Sequence, residues 1–149
     1  MSAYRTIVVG TDGSATSLSA VDRAAAVAAD TNAELVIVCA YTPASRKDTA
    51  EAEDALKDEA YLVVGWTPAE ETLRTAEERA AAAGARKIRT IAVDGLPVDV
   101  LRKAVGDTGA DLLVVGNRGL NTLSGRLLGS VPSDVARRVG VDVLIVHTT

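Results

Sequence analysis

Apolar positions along the chain fall into two periods. Four short runs, TIVVG (6–10), ELVIVCA (34–40), DLLVVG (111–116) and DVLIVH (142–147), are nearly continuous in apolar, largely Val, Ile and Leu residues. That is the pattern of strands covered on both faces. A fifth run, KIRTIAV (87–93), alternates and predicts an edge strand. Between the runs the period becomes helical. SATSLSAVDRAAAVAADTNA places apolar residues at 18, 21, 24, 25 and 28, behind Ser14 or Thr16 as the N-cap. TPAEETLRTAEERAAAAGA opens with Thr67, Pro68 and Glu70 in the arrangement of a capping box, and Gly84 is placed to end that helix. PVDVLRKAVGDTGA and SVPSDVARRVG predict two shorter helices.

Strands that alternate with helices pair in parallel through crossovers. The expected fold is therefore α/β: one doubly wound, five-stranded parallel sheet, order 3-2-1-4-5, with helices on both faces, forming a single domain over residues 1–149. Residues 41–66 fit this scheme least. Their polar stretch, 44–60, reads as a loop or a frayed helix, and the apolar YLVVGW that follows reads as a packing segment rather than a ligand lid.

Composition narrows the partners. A chain of 149 residues, 48% hydrophobic and 24% charged, can bury a core and is neither disordered nor membrane-like. With no Phe, one Trp and three Tyr it lacks stacking platforms for single-stranded bases, and a net charge of −4 argues against a nucleic-acid face. No apolar run reaches the length of a membrane span and the N-terminus does not resemble a signal peptide, so a cytoplasmic location is expected. Cys39 is the single cysteine and lies within an apolar run, where a buried, inert thiol is the ordinary outcome.

Open α/β sheets bind ligands beyond the carboxyl ends of their strands, where the strand order reverses. Two loops meet that description here: GTDGS (10–14) after the first strand, and the glycine-rich GNRGLNTLSGRLLGS (116–130) after the fourth. In the second, Gly116 and Gly119 are free to take positive φ and leave no Cβ in the way of backbone N–H groups approaching an anion and a ribose, while Gly129 and Ser130 precede a helix whose N-terminus suits a phosphate. Asp12 suits the sugar or base side of such a ligand, because a carboxylate accepts hydrogen bonds from ribose hydroxyls but repels phosphate, and would lie away from phosphates. Arg118 and Arg126 are the nearby cations. Each loop taken alone is also an acceptable turn and helix cap. Their meeting at one switch point is what favours a ligand.

The spacing of Gly116, Gly119, Gly129 and Ser130 fits the pattern G-x2-G-x9-G-[ST], and together with TIVVGTDGSATS and DGLPVDVLRKA it resembles the universal stress protein family over nearly the whole chain. The resemblance implies a Rossmann-like, adenine nucleotide alpha hydrolase-like domain that binds ATP, AMP or cyclic AMP, with magnesium accompanying ATP, and that dimerises through its last strand. Carried over by position, Gly10, Thr11 and Asp12 would meet the adenosine and Ala40 the base. Val115, Gly116, Arg118 and Gly119 would line ribose and phosphates, and Gly129, Ser130, Val131 and Pro132 would hold the phosphate tail. Pro132 departs from the family pattern, which has Ser or Thr there. It offers neither hydroxyl nor N–H, so a triphosphate should gain less than in other members.

Catalytic groups are sparse. There is no G-x-x-x-x-G-K-[ST] loop, no base evident near the glycine loop, and one histidine, His147, near the chain end. One carboxylate, Asp12, makes a weak metal site. The expectation is a non-enzymatic nucleotide-binding stress or signalling protein. The alternatives are a slow ATPase or nucleotidyl-transfer enzyme of the same fold group, and an interaction module with a vestigial crevice.

Overall fold

The computed structural model describes residues 2–43, 62–117 and 135–148. In chain order these form β1 (Thr6–Gly10), α1 (Ala15–Thr31), β2 (Glu34–Thr42), β3 (Leu62–Val64), α2 (Trp66–Ala82), β4 (Lys87–Asp94), α3 (Pro97–Thr108), β5 (Leu112–Gly116) and β6 (Asp142–Val146). Residues 135–138 are helical as well.

All strand pairs are parallel, and β4-β2-β1-β5-β6 reproduces the expected 3-2-1-4-5 order. The sheet has six strands rather than five, because Leu62–Val64 adds a short strand to β2. Three residues are too few for a period to register in the sequence, and what makes them a strand is the overhang of β2, which runs two residues past Ala40. The hydrogen bonds locate β3. Even-numbered residues of β2 face β1: Glu34 N–H donates to Arg5 O at 2.9 Å and Val38 O accepts from Thr11 N–H at 3.0 Å. Thr42 O, of the same parity, accepts from Gly65 N–H at 2.7 Å, whereas Tyr41 O accepts from Gly95 N–H at 3.0 Å on the β4 side. Thus β3 continues the line of β1 beyond its carboxyl end.

Alternation along the strands builds two cores. Ile7, Val9, Leu35, Ile37, Leu112 and Val114 point to the face covered by α1 and α2. Val8, Val36, Val38, Leu113 and Val115 point to the face covered by α3 and by Val135. Both faces of β1, β2 and β5 are covered, which is why they read as unbroken runs. The equally apolar β6, expected to be covered as well, is only partly so, because it ends the row of paired strands among the described residues.

Helix ends follow local chemistry. Ser14 caps α1 by accepting Ser17 N–H, and Asn32 ends it in the left-handed region at φ 56°. The expected Thr67/Glu70 capping box is not the start of α2. The helix begins at Trp66 with Gly65 at φ 100° as its N-cap and no side-chain cap bond. Gly65 is already held by Thr42 O, so the chain turns from β3 straight into the helix. Pro68 then falls within the first turn, where its missing N–H costs nothing. Gly84, at φ 109°, follows the end of α2 as expected.

Candidate functional site

The carboxyl ends of β2, β1 and β5 lie side by side, with Gly10 beside Val38 and Val9 beside Val114. Gly10, Thr11, Asp12, Ala40, Val115 and Gly116 are therefore brought together at the switch point. The other expected contacts, Arg118, Gly119, Gly129, Ser130, Val131 and Pro132, lie outside the described residues, as do Arg126 and the stretch 44–60.

Each described residue has a distinct physical setting. Gly10 serves packing, since a Cβ there would come within 3.0 Å of the Leu101 side chain on α3. Thr11 is buried, with its hydroxyl 2.8 Å from Ser17 Oγ and accepting Gly13 N–H at 3.1 Å. The side chain thus faces inward. Asp12 Oδ1 accepts Ser14 N–H at 3.0 Å in an Asx turn, and Asp12 N–H donates to Ser17 Oγ at 3.3 Å. Gly13 has φ 85°, and a Cβ on it would sit 3.0 Å from Thr72 Oγ1 of α2. The acidic loop is therefore wedged between α1 and α2 and fixed by its own hydroxyls.

Ala40 and Val115 are buried with side chains in the α3-side core, which leaves only backbone for a ligand. Ala40 is also paired on both sides, to Leu62 and to Val93. Gly116 differs from expectation. It is an ordinary strand residue paired to Val146 and is not among the positive-φ glycines. Among the described residues, the atoms nearest to a Cβ placed on it are Thr148 Oγ1 at 3.6 Å, Thr148 Cγ2 at 3.7 Å and Thr16 O at 3.8 Å, which are ordinary contacts. Neither its backbone nor its described neighbours require a glycine there. The nearness of Thr16 O also demonstrates that the start of α1 and the end of β5 meet.

Three residues of this region escaped the sequence reading. Ser17 looked like one more helix residue, although four hydroxyls at 11, 14, 16 and 17 were a signal. Asn117 looked like a spacer between glycines. It is buried, and its Oδ1 accepts Thr148 N–H and Thr148 Oγ1–H, both at 2.9 Å. Its Nδ2 lies 3.1 Å from His147 Nδ1. Since Oδ1 takes Thr148 N–H, Nδ2 is the donor, and the histidine accepts at Nδ1 in this arrangement. The third is Thr148, held 31 residues from Asn117 along the chain, a distance no local pattern reveals.

Burial pushes the Cys39 thiol up to about 12, and the Asp12 carboxylate adds to the rise. The thiol is buried and protonated, in line with the expected inert role. Among the described residues no three His, Cys, Asp or Glu side chains gather as a metal site. No helix among them is long and apolar enough to cross a membrane. A cavity of about 380 Å³, lined by Tyr4, Val27, Leu112, Asp142, Val143 and Leu144, opens at the opposite, amino end of the strands and is separate from the crevice.

Comparison with known proteins adds four findings. Residues 3–147 match the profile of the universal stress protein family. Universal stress protein Rv1636 of Mycobacterium tuberculosis H37Rv is 55% identical over 149 residues, spanning 100% of both chains. Among solved structures, a universal stress protein in complex with cAMP is 51% identical with a TM-score of 0.79, over 99% of this chain and 100% of that one. Protein MJ0577 is 26% identical with a TM-score of 0.72, over 98% of this chain and 97% of that one.

Proposed function

Because the chain belongs to the universal stress protein family, we propose that it binds an adenine nucleotide in the crevice between the β1 and β5 loops and acts as a cytoplasmic, nucleotide-dependent stress or signalling protein without catalytic turnover. The observation that carries this reading is the Asp12 loop, pre-formed by hydrogen bonds at the carboxyl ends of adjoining strands, with Gly116 meeting the start of α1. The 51% identical relative in complex with cAMP supports the adenine class.

In this reading Asp12 accepts hydrogen bonds from ribose hydroxyls, and the backbone at Gly10, Ala40, Val115 and Gly116 lines the nucleoside. Arg118, Gly119, Gly129, Ser130 and Val131 take the phosphates by position, with Pro132 at the end of that tail. Magnesium enters only with ATP, as the counter-ion of its phosphates. Since Pro132 brings no N–H, AMP or cyclic AMP competes well with ATP.

Self-association through β6 belongs to the same proposal. Val146 O bonds to Asn117 N–H, so even-numbered residues of β6 face β5, and Val143 and Ile145 present their backbone groups to the open edge. Ile145 is 38% exposed there, which suits antiparallel pairing with a second copy.

The test is a calorimetric titration of nucleotide-free protein with ATP, AMP, cyclic AMP and GTP, repeated on Gly116→Val, whose branched methyls reach beyond the space a Cβ occupies. Binding of an adenine nucleotide that the substitution abolishes is the expected result. No binding to any of the four refutes the proposal, and ATP binding tenfold tighter than both AMP and cyclic AMP refutes the role given to Pro132.

A further inference from the structure

We propose that Ser17, in the first turn of α1, is a positioning residue that sets Asp12 for ribose recognition while touching no ligand itself. The inference rests on the nucleotide reading above and adds a residue to it.

Ser17 and Thr11 are each 1% exposed, so their hydroxyls must find partners inside the protein. A hydroxyl has one proton to give and two lone pairs to fill. Ser17 Oγ lies 3.0 Å from the carbonyl oxygen of Ser14, which can only accept, so the Ser17 proton goes there. The 2.8 Å contact between Ser17 Oγ and Thr11 Oγ1 must then carry the proton of Thr11. Thr11 Oγ1 in turn accepts Gly13 N–H at 3.1 Å, and Ser17 Oγ accepts Asp12 N–H at 3.3 Å as well. The chain runs one way, from Gly13 N–H through Thr11 Oγ1–H to Ser17 Oγ–H and the Ser14 carbonyl. Both lone pairs and the one proton of Ser17 are used.

This single oxygen therefore holds the backbone on both sides of Asp12. It binds the Asp12 N–H and the Ser14 carbonyl directly, and it holds the Gly13 N–H through Thr11. The α1 cap does not depend on it, because Ser14 Oγ receives the main-chain N–H of Ser17, which any residue at 17 supplies. Removing the Ser17 hydroxyl thus leaves helix and sheet in place, strands the Thr11 proton and the Asp12 N–H, and loosens the one loop that aims the carboxylate.

The experiment measures wild-type protein and Ser17→Ala by calorimetry with AMP and with 2′,3′-dideoxy-AMP, which lacks the hydroxyls Asp12 would read. In the wild type, AMP binds more tightly. Ser17→Ala should weaken AMP by about tenfold, the scale of a hydrogen bond to a charged group, and leave dideoxy-AMP unchanged, so that discrimination falls by the same factor. Thr11→Val, which removes the middle link and the acceptor of Gly13 N–H but leaves Asp12 N–H on Ser17 Oγ, should lower the ratio less and supplies the reading if Ser17→Ala does not fold. A wild-type ratio preserved in these variants overturns the proposal, whether both affinities stay or fall together, and so does a wild-type protein that binds AMP and dideoxy-AMP alike. Wild-type protein that binds neither refutes the nucleotide reading instead, which keeps the two failures apart.

Discussion

Gly13→Ala offers a direct test of how the acidic loop is wedged, because two separate costs meet at one atom. Gly13 has φ 85°, where an L-residue loses roughly 1–2 kcal/mol. The new Cβ would also sit 3.0 Å from Thr72 Oγ1 and 3.2 Å from Thr72 Cγ2, an overpacking cost of about 1–2 kcal/mol. Together these predict a loss of about 2–4 kcal/mol, or roughly 10 °C in Tm for a domain of this size. The two parts separate in a double-mutant cycle. Thr72→Ala removes the atoms in the way but not the backbone strain, and alone it should be nearly neutral, since Ala is the better helix former. Urea denaturation of the wild type, both single variants and the double variant then yields the coupling. The double variant should recover about 1–2 kcal/mol relative to the sum of the single changes. Additivity within about 0.3 kcal/mol would refute the contact between the loop and α2. A cost of Gly13→Ala below about 0.5 kcal/mol would refute the left-handed backbone at this residue as well.

Other consequences are open to equally simple measurements. Asn117→Ala removes the bonds to Thr148 and His147 and should cost about 2 kcal/mol in urea denaturation. Unchanged stability would mean that the tail is not clamped. The fold favours the neutral Cys39 thiol, so its contribution is complete below the ordinary value of 9.0 and is lost as pH rises through about 12. The amount at stake is at most about 4 kcal/mol. Cys39→Ala should flatten the fall in stability across that interval, and an identical fall in both proteins would contradict the assignment. Ile145→Pro removes an N–H that points away from β5, so sedimentation should find monomers of nearly native Tm. Dimers that persist in this variant would exclude the β6 edge as the interface.

Much of the candidate site was legible because its residues are local. TDGS after an apolar run announces a turn and a helix cap, and Asp12 and Ser14 indeed form the Asx turn and the cap. The glycine spacing announced the family, yet Gly116 does not take the positive φ expected of it, since spacing carries no φ. Ser17 was missed because a buried serine and a solvated one are the same letter. Only the closing of the β1 loop onto α1 makes its oxygen a shared partner.

By itself the sequence determined the class of the fold, the five longer strands and their order, and the buried face of α1. Those depend on period, and period is written in consecutive residues. What the tertiary structure decided are contacts between residues far apart in the chain: Gly10 against Leu101, Gly13 against Thr72, Asn117 against Thr148, and β3 against the overhang of β2. The last follows from how far β2 extends past β1. That overhang is settled only when the strands pair and the helices close over them, because the same local sequence is compatible with several registers until long-range packing selects one.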